Sequence, residues 1–453
     1  MNRRTILKLL PLLSAGASIL PETAIPEKQD PGPLSLDYFA RVVKMLERIR
    51  NSELDNMLEA SYHIAETCKR GGACFCQWET GHAIDGDMFP GRPGDTTIFT
   101  MGYTMNPPSV EPKSGDLLLI NVLRQPLEDP RKKGIFVIGG PTPWCGDTEH
   151  TELLTEANRN LKIRMYSDIW IETYITTLGA IMWLPGETAP LGPTSGALGI
   201  TTYWAMMADT VRILARDGVT VGLKGDEPAL DDKASYTDLN RPLAEEYFNE
   251  SIRQINQIEA EYGTFKHIAA EAASRILSGG KLHVYSRYRE ALSMEANGKR
   301  GGLALIKTTW SEDKDFRGTA GDFMIMGIYK PDDEVDLHML QVYKKAGMKV
   351  ASIGPATRNG SYPPGSTVPT QTDFHLGNMC DTYGIFAIPG VGQKVCPTSG
   401  LLINLMFWAT IIEIAEDIMR RTGNTPAVLS TGALIGGSEQ RKKRTELARV
   451  RGY

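Results

Sequence analysis

The chain has 453 residues, of which 49 are Lys or Arg and 54 are Asp or Glu, and its net charge is −5. This length exceeds what one hydrophobic core usually organises, so it predicts at least two lobes. The negative charge argues against a nucleic-acid partner, and no apolar run approaches the roughly 20 residues of a membrane helix.

The first 32 residues differ in kind from the rest and predict an export signal followed by a proline-rich leader. The segment begins with two arginines, Arg3 and Arg4, and Lys8 precedes the apolar residues 9–13. Small residues, including 15–17, follow the apolar stretch. This order resembles a bacterial twin-arginine signal and predicts a periplasmic or otherwise exported protein. Removal of residues 1–17 would delete three basic residues and no acids, which leaves a net charge of −8. The alternative is an amphipathic first helix.

Residues 33–222, here called lobe one, carry the first set of predicted elements. Two amphipathic stretches, 36–50 and 54–70, predict two helices that end at the glycine pair Gly71-Gly72. Short apolar runs follow, and such runs are typical of strands covered on both faces. The five predicted strands are 73–78, 96–101, 116–122, 134–139 and 180–184.

Residues 223–241 are rich in aspartate and predict an exposed linker to lobe two, residues 242–438. One crossover helix, 335–346, is predicted in lobe two, whereas the prolines in segment 123–133 predict no helix at the matching place of lobe one.

The basic segment 439–453 predicts a solvated, mobile tail. The predicted strands of lobe two are 281–288, 303–309, 322–328, 349–353 and 384–388.

A repeated motif relates the two lobes. The pattern Pro-Gly-x6-Pro-Thr-Ser-Gly occurs at 185–196 and again at 389–400, with an offset of 204 positions. Trp204 and Trp408 keep the same offset, and the upstream glycine pair of lobe one matches Gly279-Gly280 at an offset of 208. Small insertions and deletions in loops produce such drift, so the sequence predicts a tandem duplication.

Together these features make each lobe resemble a sugar isomerase (SIS) domain: paired helices, a glycine pair, five strands of parallel type and a last helix that begins at Pro-Thr-Ser. The turns at 80–82 and 192–195 resemble those of an SIS-like subfamily. The resemblance implies two tandem flavodoxin-like αβα sandwiches with parallel five-stranded sheets. It also implies that sugar phosphates bind at the carboxyl ends of the strands and that the chain could form a homodimer.

The phosphate loop is where the sequence departs from that family. The loop should follow the third strand, where this chain has Leu-Arg-Gln-Pro at 123–126 and Tyr-Lys-Pro-Asp at 329–332. Hydroxyls and glycine amides that cradle a phosphate are absent from both segments, which favours a non-phosphorylated sugar or sugar acid. Arg124 and Lys330 match at an offset of 206, and they either hold an anion or are surface cations.

His82 of lobe one stands opposite Glu290 of lobe two, and these two are the candidate catalytic residues. Histidine and glutamate suit the proton transfers of aldose–ketose isomerisation near neutral pH. The alternative is that both are ordinary polar turn residues. The hydroxyl residues of the Pro-Thr-Ser motifs have helix capping as their simpler role. The candidate ligand-binding residues are Glu79, Thr80, Gly81, Arg124, Thr142, Thr194, Ser195, Arg287, Arg289, Lys330, Thr357, Thr398 and Ser399.

The six cysteines show no spacing typical of a metal site, so we expect no metal and no cofactor, and buried free thiols at Cys74 and Cys76. We therefore expect an exported protein whose partner is a small-molecule carbohydrate or carbohydrate derivative. The SIS resemblance implies isomerase activity. The alternatives are a non-catalytic sugar sensor and a structural or partner-binding remnant that binds no sugar.

Overall fold

The computed structural model describes residues 33–78, 94–101, 103, 110–123, 127–224, 230, 236–287, 292, 296, 301–309, 316, 318–356, 363, 365–380 and 384–452. Within these ranges no helix is long and apolar enough to cross a membrane. The helices are α1 (Leu34–Lys69), α2 (Glu156–Arg159), α3 (Ser195–Arg216), α4 (Ala244–Ile258), α5 (Tyr262–Leu277), α6 (Glu334–Lys345), α7 (Val368–Gln371), α8 (Ser399–Thr422) and α9 (Gly437–Arg451).

Lobe one is built on a parallel five-stranded sheet in the order β3-β1-β4-β5-β6. All four residues of β4, the central strand, are buried, as expected for a strand covered on both faces. The strands are β1 (Cys74–Gln77), β2 (Asp95–Thr96), β3 (Phe99–Met101), β4 (Leu117–Ile120), β5 (Phe136–Gly139), β6 (Ile169–Trp170), β7 (Ala180–Met182) and β8 (Leu191–Pro193), with β9 (Leu223–Lys224) in the linker.

Lobe two has the same topology, with a parallel sheet in the order β11-β10-β12-β13-β14. In both lobes this is the flavodoxin-like order, in which the first strand lies between the second and third. The predicted fold class of two tandem α/β lobes with parallel five-stranded sheets is confirmed. The strands are β10 (Leu282–Ser286), β11 (Ile306–Thr309), β12 (Phe323–Gly327), β13 (Lys349–Gly354), β14 (Phe374–Gly377), β15 (Phe386–Ala387) and β16 (Lys394–Val395).

The predicted fifth strand is wrong in both lobes. Segment 180–184 contributes β7, which pairs antiparallel with β8, and segment 384–388 contributes β15, which pairs antiparallel with β16. The true fifth strands are the edge strands β6 and β14. Each edge strand follows an aspartate whose side chain accepts a hydrogen bond from the neighbouring strand. Asp168 accepts from the Val137 amide at 2.8 Å, and Asp373 accepts from the Val350 amide at 2.9 Å.

The first helices differ between the lobes. The two helices predicted at 36–50 and 54–70 are the single helix α1, because the intervening Asn-Ser-Glu contains no glycine or proline to end it. In lobe two a 3-10 turn at Glu259–Glu261 separates α4 from α5. The crossover helix of lobe two is confirmed as α6, and lobe one has only a 3-10 turn at Pro130–Lys133 in the matching segment.

The glycine pair that follows the first helix is explained by close backbone packing. A Cβ atom on Gly72 would lie 2.9 Å from the Gly115 carbonyl oxygen, and one on Gly280 would lie 2.0 Å from that of Gly321. Only glycine fits at such distances.

A single hydrophobic core joins the two lobes, because α1 packs on α3, α4 and α8. Matching tyrosines of the two first helices donate to matching carbonyls of the repeated motif, Tyr38 to Pro193 at 2.7 Å and Tyr247 to Pro397 at 2.8 Å. These equivalent bonds agree with the register that the sequence repeat predicts.

The basic segment at the end of the chain is helical rather than an unstructured tail. Helix α9 begins at Gly437, and its Arg444 lies 3.3 Å from the buried carboxylate of Glu187 in lobe one. Arg444 also donates to the Gly186 carbonyl at 3.1 Å. The end of the chain therefore crosses back to the first copy of the repeated motif.

Candidate functional site

The carboxyl ends of the lobe-one strands meet at one edge of the sheet, here called the lobe-one edge. Backbone hydrogen bonds place Asn121 beside Gln77, Gly140 beside Ile120, and Ile171 beside Gly139, at 3.2, 3.1 and 2.8 Å. Open parallel α/β sheets bind ligands at this edge, because loops and helix N-termini converge there.

Three side chains at this edge are buried and polar yet have no hydrogen-bond partner in the described structure. Both polar side-chain atoms of Asn121 and the hydroxyls of Thr173 and Thr194 are in this state, and each residue is fully buried. A buried polar group without a partner costs about 1 to 3 kcal/mol. Three such groups at one edge indicate partners that the described part of the chain does not supply.

The start of helix α3 belongs to the same edge. The Thr194 amide donates to the Gly179 carbonyl at 3.1 Å. A Cβ atom on Gly179 would lie 3.0 Å from the Trp144 ring and 3.1 Å from Pro143, in the segment that follows β5. Gly179 has a φ of 76°, which favours glycine. This glycine therefore brings the helix start against the end of β5.

Trp78 covers the middle of the lobe-one edge. A Cβ atom on Gly140 would lie 2.6 Å from the Trp78 ring, so the second glycine of this turn makes room for the indole. The Trp78 Nε1 atom is buried and has no acceptor in the described structure. An aromatic ring whose N–H has no acceptor in the described structure suits a polar ligand with apolar faces.

Thr142 lies beyond Gly140 at the same edge and is 8% exposed. Its carbonyl accepts a hydrogen bond from Cys145 Sγ at 3.0 Å, and burial raises the pKa of the Cys145 thiol to about 11. Cys145 is therefore a neutral donor at physiological pH, and it holds the turn that carries Thr142.

The charged groups that follow β6 are acidic. Glu172 accepts from Trp170 Nε1 at 3.2 Å and from the Tyr174 amide at 3.1 Å. Its own amide donates to the buried Glu53 carboxylate at 3.2 Å, and desolvation raises the pKa of the Glu172 carboxyl. Arg48 lies over the Tyr174 ring, 3.7 Å from its centroid. Two carboxylates near this edge disfavour a phosphate.

The matching edge of lobe two is filled differently. Gly327 stands at the position of Asn121, at the offset of 206 that relates the two central strands. A Cβ atom there would lie 2.9 Å from Leu292 Cδ2 and 3.3 Å from Ile403 Cγ2. Apolar side chains thus occupy in lobe two the place where lobe one has a polar amide.

The N-terminus of crossover helix α6, where the phosphate loop of lobe two would stand, carries its own anion. The Asp333 side chain caps this helix and accepts from the Val335 amide at 2.9 Å and the Asp336 amide at 3.1 Å. Arg287, predicted to bind ligand, forms an ion pair with Asp333. Half-buried Lys330 lies three residues before this cap. A carboxylate on the helix amides leaves them unavailable to a phosphate.

The two Pro-Thr-Ser motifs do not cap their helices through threonine. Neither Thr194 nor Thr398 makes a side-chain capping bond, so the capping role expected for these two hydroxyls is wrong. Thr398 Oγ1 lies 3.4 Å from Cys380 Sγ, whereas Thr194 Oγ1 has no partner in the described part. Ser195 and Ser399 are buried in the first turns of α3 and α8.

Each motif also receives a backbone contact from the opposite lobe. The Gly192 amide donates to the Gly301 carbonyl at 3.0 Å, and the Cys396 amide donates to the Gly94 carbonyl at 3.1 Å. Residues of lobe two therefore help to fix the motif that borders the lobe-one edge.

Most of the predicted turn residues, including both candidate catalytic residues, lie outside the described part of the chain. These are Glu79, Thr80, Gly81, His82, Arg124, Arg289, Glu290 and Thr357. Of the described candidates, Thr142, Thr194 and Ser195 belong to lobe one, whereas Arg287, Lys330, Thr398 and Ser399 belong to lobe two.

Sequence reasoning missed Asn121, Thr173 and Trp78. Asn121 is the only polar residue of the run 117–122, which predicts an apolar strand. A polar residue at the carboxyl end of a central strand was the available signal.

Among the described residues, no group of three His, Cys, Asp or Glu side chains is placed to hold a metal ion.

Comparisons with known proteins bear on the fold. No family model matches the sequence, and no curated protein matches it. The C-terminal domain of glucosamine-fructose-6-phosphate aminotransferase from Francisella tularensis is similar in structure, with a TM-score of 0.48 and 9% identity, over 88% of this chain and 99% of that one.

Two further solved structures are similar. Tagatose-6-phosphate ketose/aldose isomerase from Escherichia coli has a TM-score of 0.47 and 11% identity, over 89% of this chain and 97% of that one. Glucosamine-6-phosphate deaminase from Thermotoga maritima has a TM-score of 0.42 and 8% identity, over 88% of this chain and 98% of that one. At such low identity and TM-score, these similarities assign neither a substrate nor an activity to this chain.

Proposed function

We propose that this protein binds a carbohydrate without a phosphate group at the lobe-one edge. The observation that carries the proposal is the set of buried polar side chains without partners at Asn121, Thr173 and Thr194. Sugars present many hydroxyls, each of which can donate and accept, so one sugar can satisfy an amide and two hydroxyls together.

The charge around the candidate sites favours a neutral sugar, and it disfavours a doubly charged phosphate more than a singly charged sugar acid. Two carboxylates, buried Glu53 and half-buried Glu172, lie near the lobe-one edge. The Asp333 carboxylate occupies the helix amides at the matching loop of lobe two. In lobe two, Leu292 and Ile403 fill the place around Gly327 that is equivalent to Asn121. We therefore propose one sugar site, in lobe one, although the sequence motif is repeated.

Turnover remains a prediction of the sequence. Isomerase chemistry through His82 and Glu290 depends on residues outside the described part, so binding is what the buried groups of the lobe-one edge support. Export to the periplasm and formation of a homodimer stand as predictions in the same way.

The test is a thermal-shift panel on the purified chain with matched hexoses, hexonic acids and hexose 6-phosphates. A ligand present at 100 times its dissociation constant adds about 2.7 kcal/mol to the free energy of unfolding, which corresponds to several degrees. We expect a shift with hexoses or hexonic acids and none with the phosphates. A shift confined to phosphates, or no shift with any sugar, would contradict the proposal.

Two matched variants locate the site. Thr194→Val removes a buried hydroxyl that has no partner, so the unliganded protein should be as stable as wild type or more stable, while the sugar shift is lost. Thr202→Val is the control on the same helix, because its hydroxyl donates to the Leu198 carbonyl at 2.8 Å. The control should lose a little stability and keep the sugar shift. A Thr194→Val protein that binds sugar like wild type would place the site elsewhere.

A further inference from the structure

We propose that Cys68 and Cys74 are a disulfide-forming pair that oxidation closes in the folded chain. Their Sγ atoms lie 3.8 Å apart, across the turn that joins α1 to β1. A disulfide bond is about 2.05 Å long, so the sulfurs must approach each other by roughly 2 Å. Rotation of the two side chains supplies a movement of this size.

The turn between the cysteines holds the pair in place. The Gly71 amide donates to the Cys68 carbonyl at 3.0 Å, and the Gly72 amide donates to the Thr67 carbonyl at 2.9 Å. Gly71 has a φ of 71°, and Gly72 has no room for a side chain against Gly115. This glycine-terminated helix end fixes the direction in which the chain enters β1, and it keeps the two sulfurs facing each other.

The two thiols have unequal access and acidity. Cys68 is half-buried at the end of α1, whereas Cys74 is 2% exposed at the start of β1. A hydrogen bond from the Cys74 thiol lowers the pKa of Cys68, and the same contact together with burial raises the pKa of Cys74. Cys68 is therefore the thiolate that meets an oxidant first.

The reaction is two thiol–disulfide exchanges with a small disulfide such as oxidised glutathione. The Cys68 thiolate attacks one glutathione sulfur, forms a mixed disulfide and releases one glutathione thiolate. Cys74 then loses its proton to solvent and attacks the Cys68 sulfur, which releases the second glutathione. Two protein thiols are oxidised to one disulfide, and one glutathione disulfide is reduced to two thiols. An exported protein would meet such oxidising conditions.

Trypsin makes the bond directly measurable. Cleavage after Lys69 and Arg70 separates the two cysteines into peptides 51–69 and 71–113, because trypsin does not cut the Arg92–Pro93 bond. We expect these peptides to be linked in a non-reduced digest of the full chain treated with oxidised glutathione, with a mass about 2 Da below the sum of the two. The oxidised chain should also melt roughly 3 °C higher than the reduced chain. Glutathione retained on Cys68 without a linked peptide would overturn the proposal.

Variants identify the partner of Cys68. Cys76 lies on the same strand, two residues beyond Cys74, so Cys76→Ser is the matched control and should keep the link, whereas Cys74→Ser should lose it. A link that survives in Cys74→Ser would make Cys76 the partner and overturn the proposal.

Alkylation of the wild-type chain tests the pair without relying on a buried substitution. Iodoacetamide should modify Cys68 in the folded, reduced protein and leave it unmodified after oxidation. Equal labelling of Cys68 in both states would show that no disulfide forms.

Discussion

At the residue scale, two neighbouring aspartates, Asp333 and Asp336, lie at the start of helix α6 in lobe two. Asp336 is 2% exposed and accepts from the Tyr285 hydroxyl at 3.0 Å. Desolvation, with a smaller effect of the neighbouring Asp333, raises the pKa of the Asp336 carboxyl to about 8. Asp336 is therefore largely protonated at neutral pH, whereas Asp333 forms an ion pair with Arg287.

This shift predicts a pH dependence of stability. The folded state holds the Asp336 proton more tightly than the unfolded state, so the free energy of unfolding should fall as pH rises from about 4 to about 8. Asp336→Asn keeps an acceptor for Tyr285 and removes the ionisation. We expect the variant to be at least about 1 kcal/mol more stable than wild type at pH 8 and similar to it at pH 4.

The measurement is the melting temperature of both proteins across this pH range, with Asp332→Asn as the control. Asp332 is exposed beside the same helix, and its substitution changes the net charge equally. A gain at pH 8 that the control reproduces would show that net charge rather than burial of Asp336 is responsible.

The candidate site shows where residue patterns stop being informative. The sequence singled out polar residues in turns, which are visible as interruptions between apolar runs. It could not single out Asn121 or Thr173, because one sequence does not tell whether a buried amide or hydroxyl is paired. Thr194 was found from the repeated motif, but the role first assigned to it, helix capping, required a geometry that its helical backbone angles do not provide.

At the element scale, the sequence predicts what glycine, proline and long apolar runs specify and fails where an element is short. Both glycine pairs, the central strands and the crossover helix α6 follow from such patterns. Edge strand β6 has only two residues and β14 has four, and neither forms a long apolar run. The longer apolar segments at 180–184 and 384–388 match the strand pattern better, although each pairs outside the main sheet. The aspartates that precede β6 and β14, Asp168 and Asp373, are 205 positions apart and so match in the sequence repeat. This match was the sequence signal that could have identified the two edge strands.

The docking of helix α9 gives the element-scale prediction. Desolvation raises the pKa of Glu187 to about 7, against the opposing effect of Arg444. The Arg444–Glu187 ion pair therefore contributes to the free energy of unfolding mainly above pH 7, where Glu187 is charged. We expect Arg444→Ala to lower the free energy of unfolding by about 1 to 3 kcal/mol at pH 8 and by much less at pH 5.5, because a protonated Glu187 needs no cation.

Melting curves at the two pH values test this expectation, with Lys442→Ala as the matched control, since Lys442 is exposed on the same helix. The control should change little at either pH. An Arg444→Ala loss of equal size at both pH values would mean that packing of the arginine stem, rather than its charge, holds the helix on lobe one.

At the scale of the whole molecule, each lobe completes the start of the other lobe's first helix. Asp209 in the last helix of lobe one accepts from the Leu243 and Ala244 amides at 3.1 and 2.7 Å, where α4 of lobe two begins. Glu413 in the last helix of lobe two accepts from the Ser35 hydroxyl, where α1 of lobe one begins. These carboxylates match at an offset of 204 in the repeat. The two lobes are thus related by a reciprocal contact in addition to their shared core.

Such reciprocity predicts that the lobes unfold together. We expect one calorimetric transition whose van't Hoff enthalpy equals its calorimetric enthalpy, because loss of either lobe exposes helix amides and apolar surface of the other. Asp209→Asn weakens the contact to the α4 amides and should lower this single transition by about 2 to 5 °C without splitting it. Glu245→Gln, on the exposed face of the same helix start, should have little effect. Two transitions in the wild type, with Asp209→Asn moving only one of them, would mean that the lobes fold independently and that the lobe-one edge does not depend on lobe two.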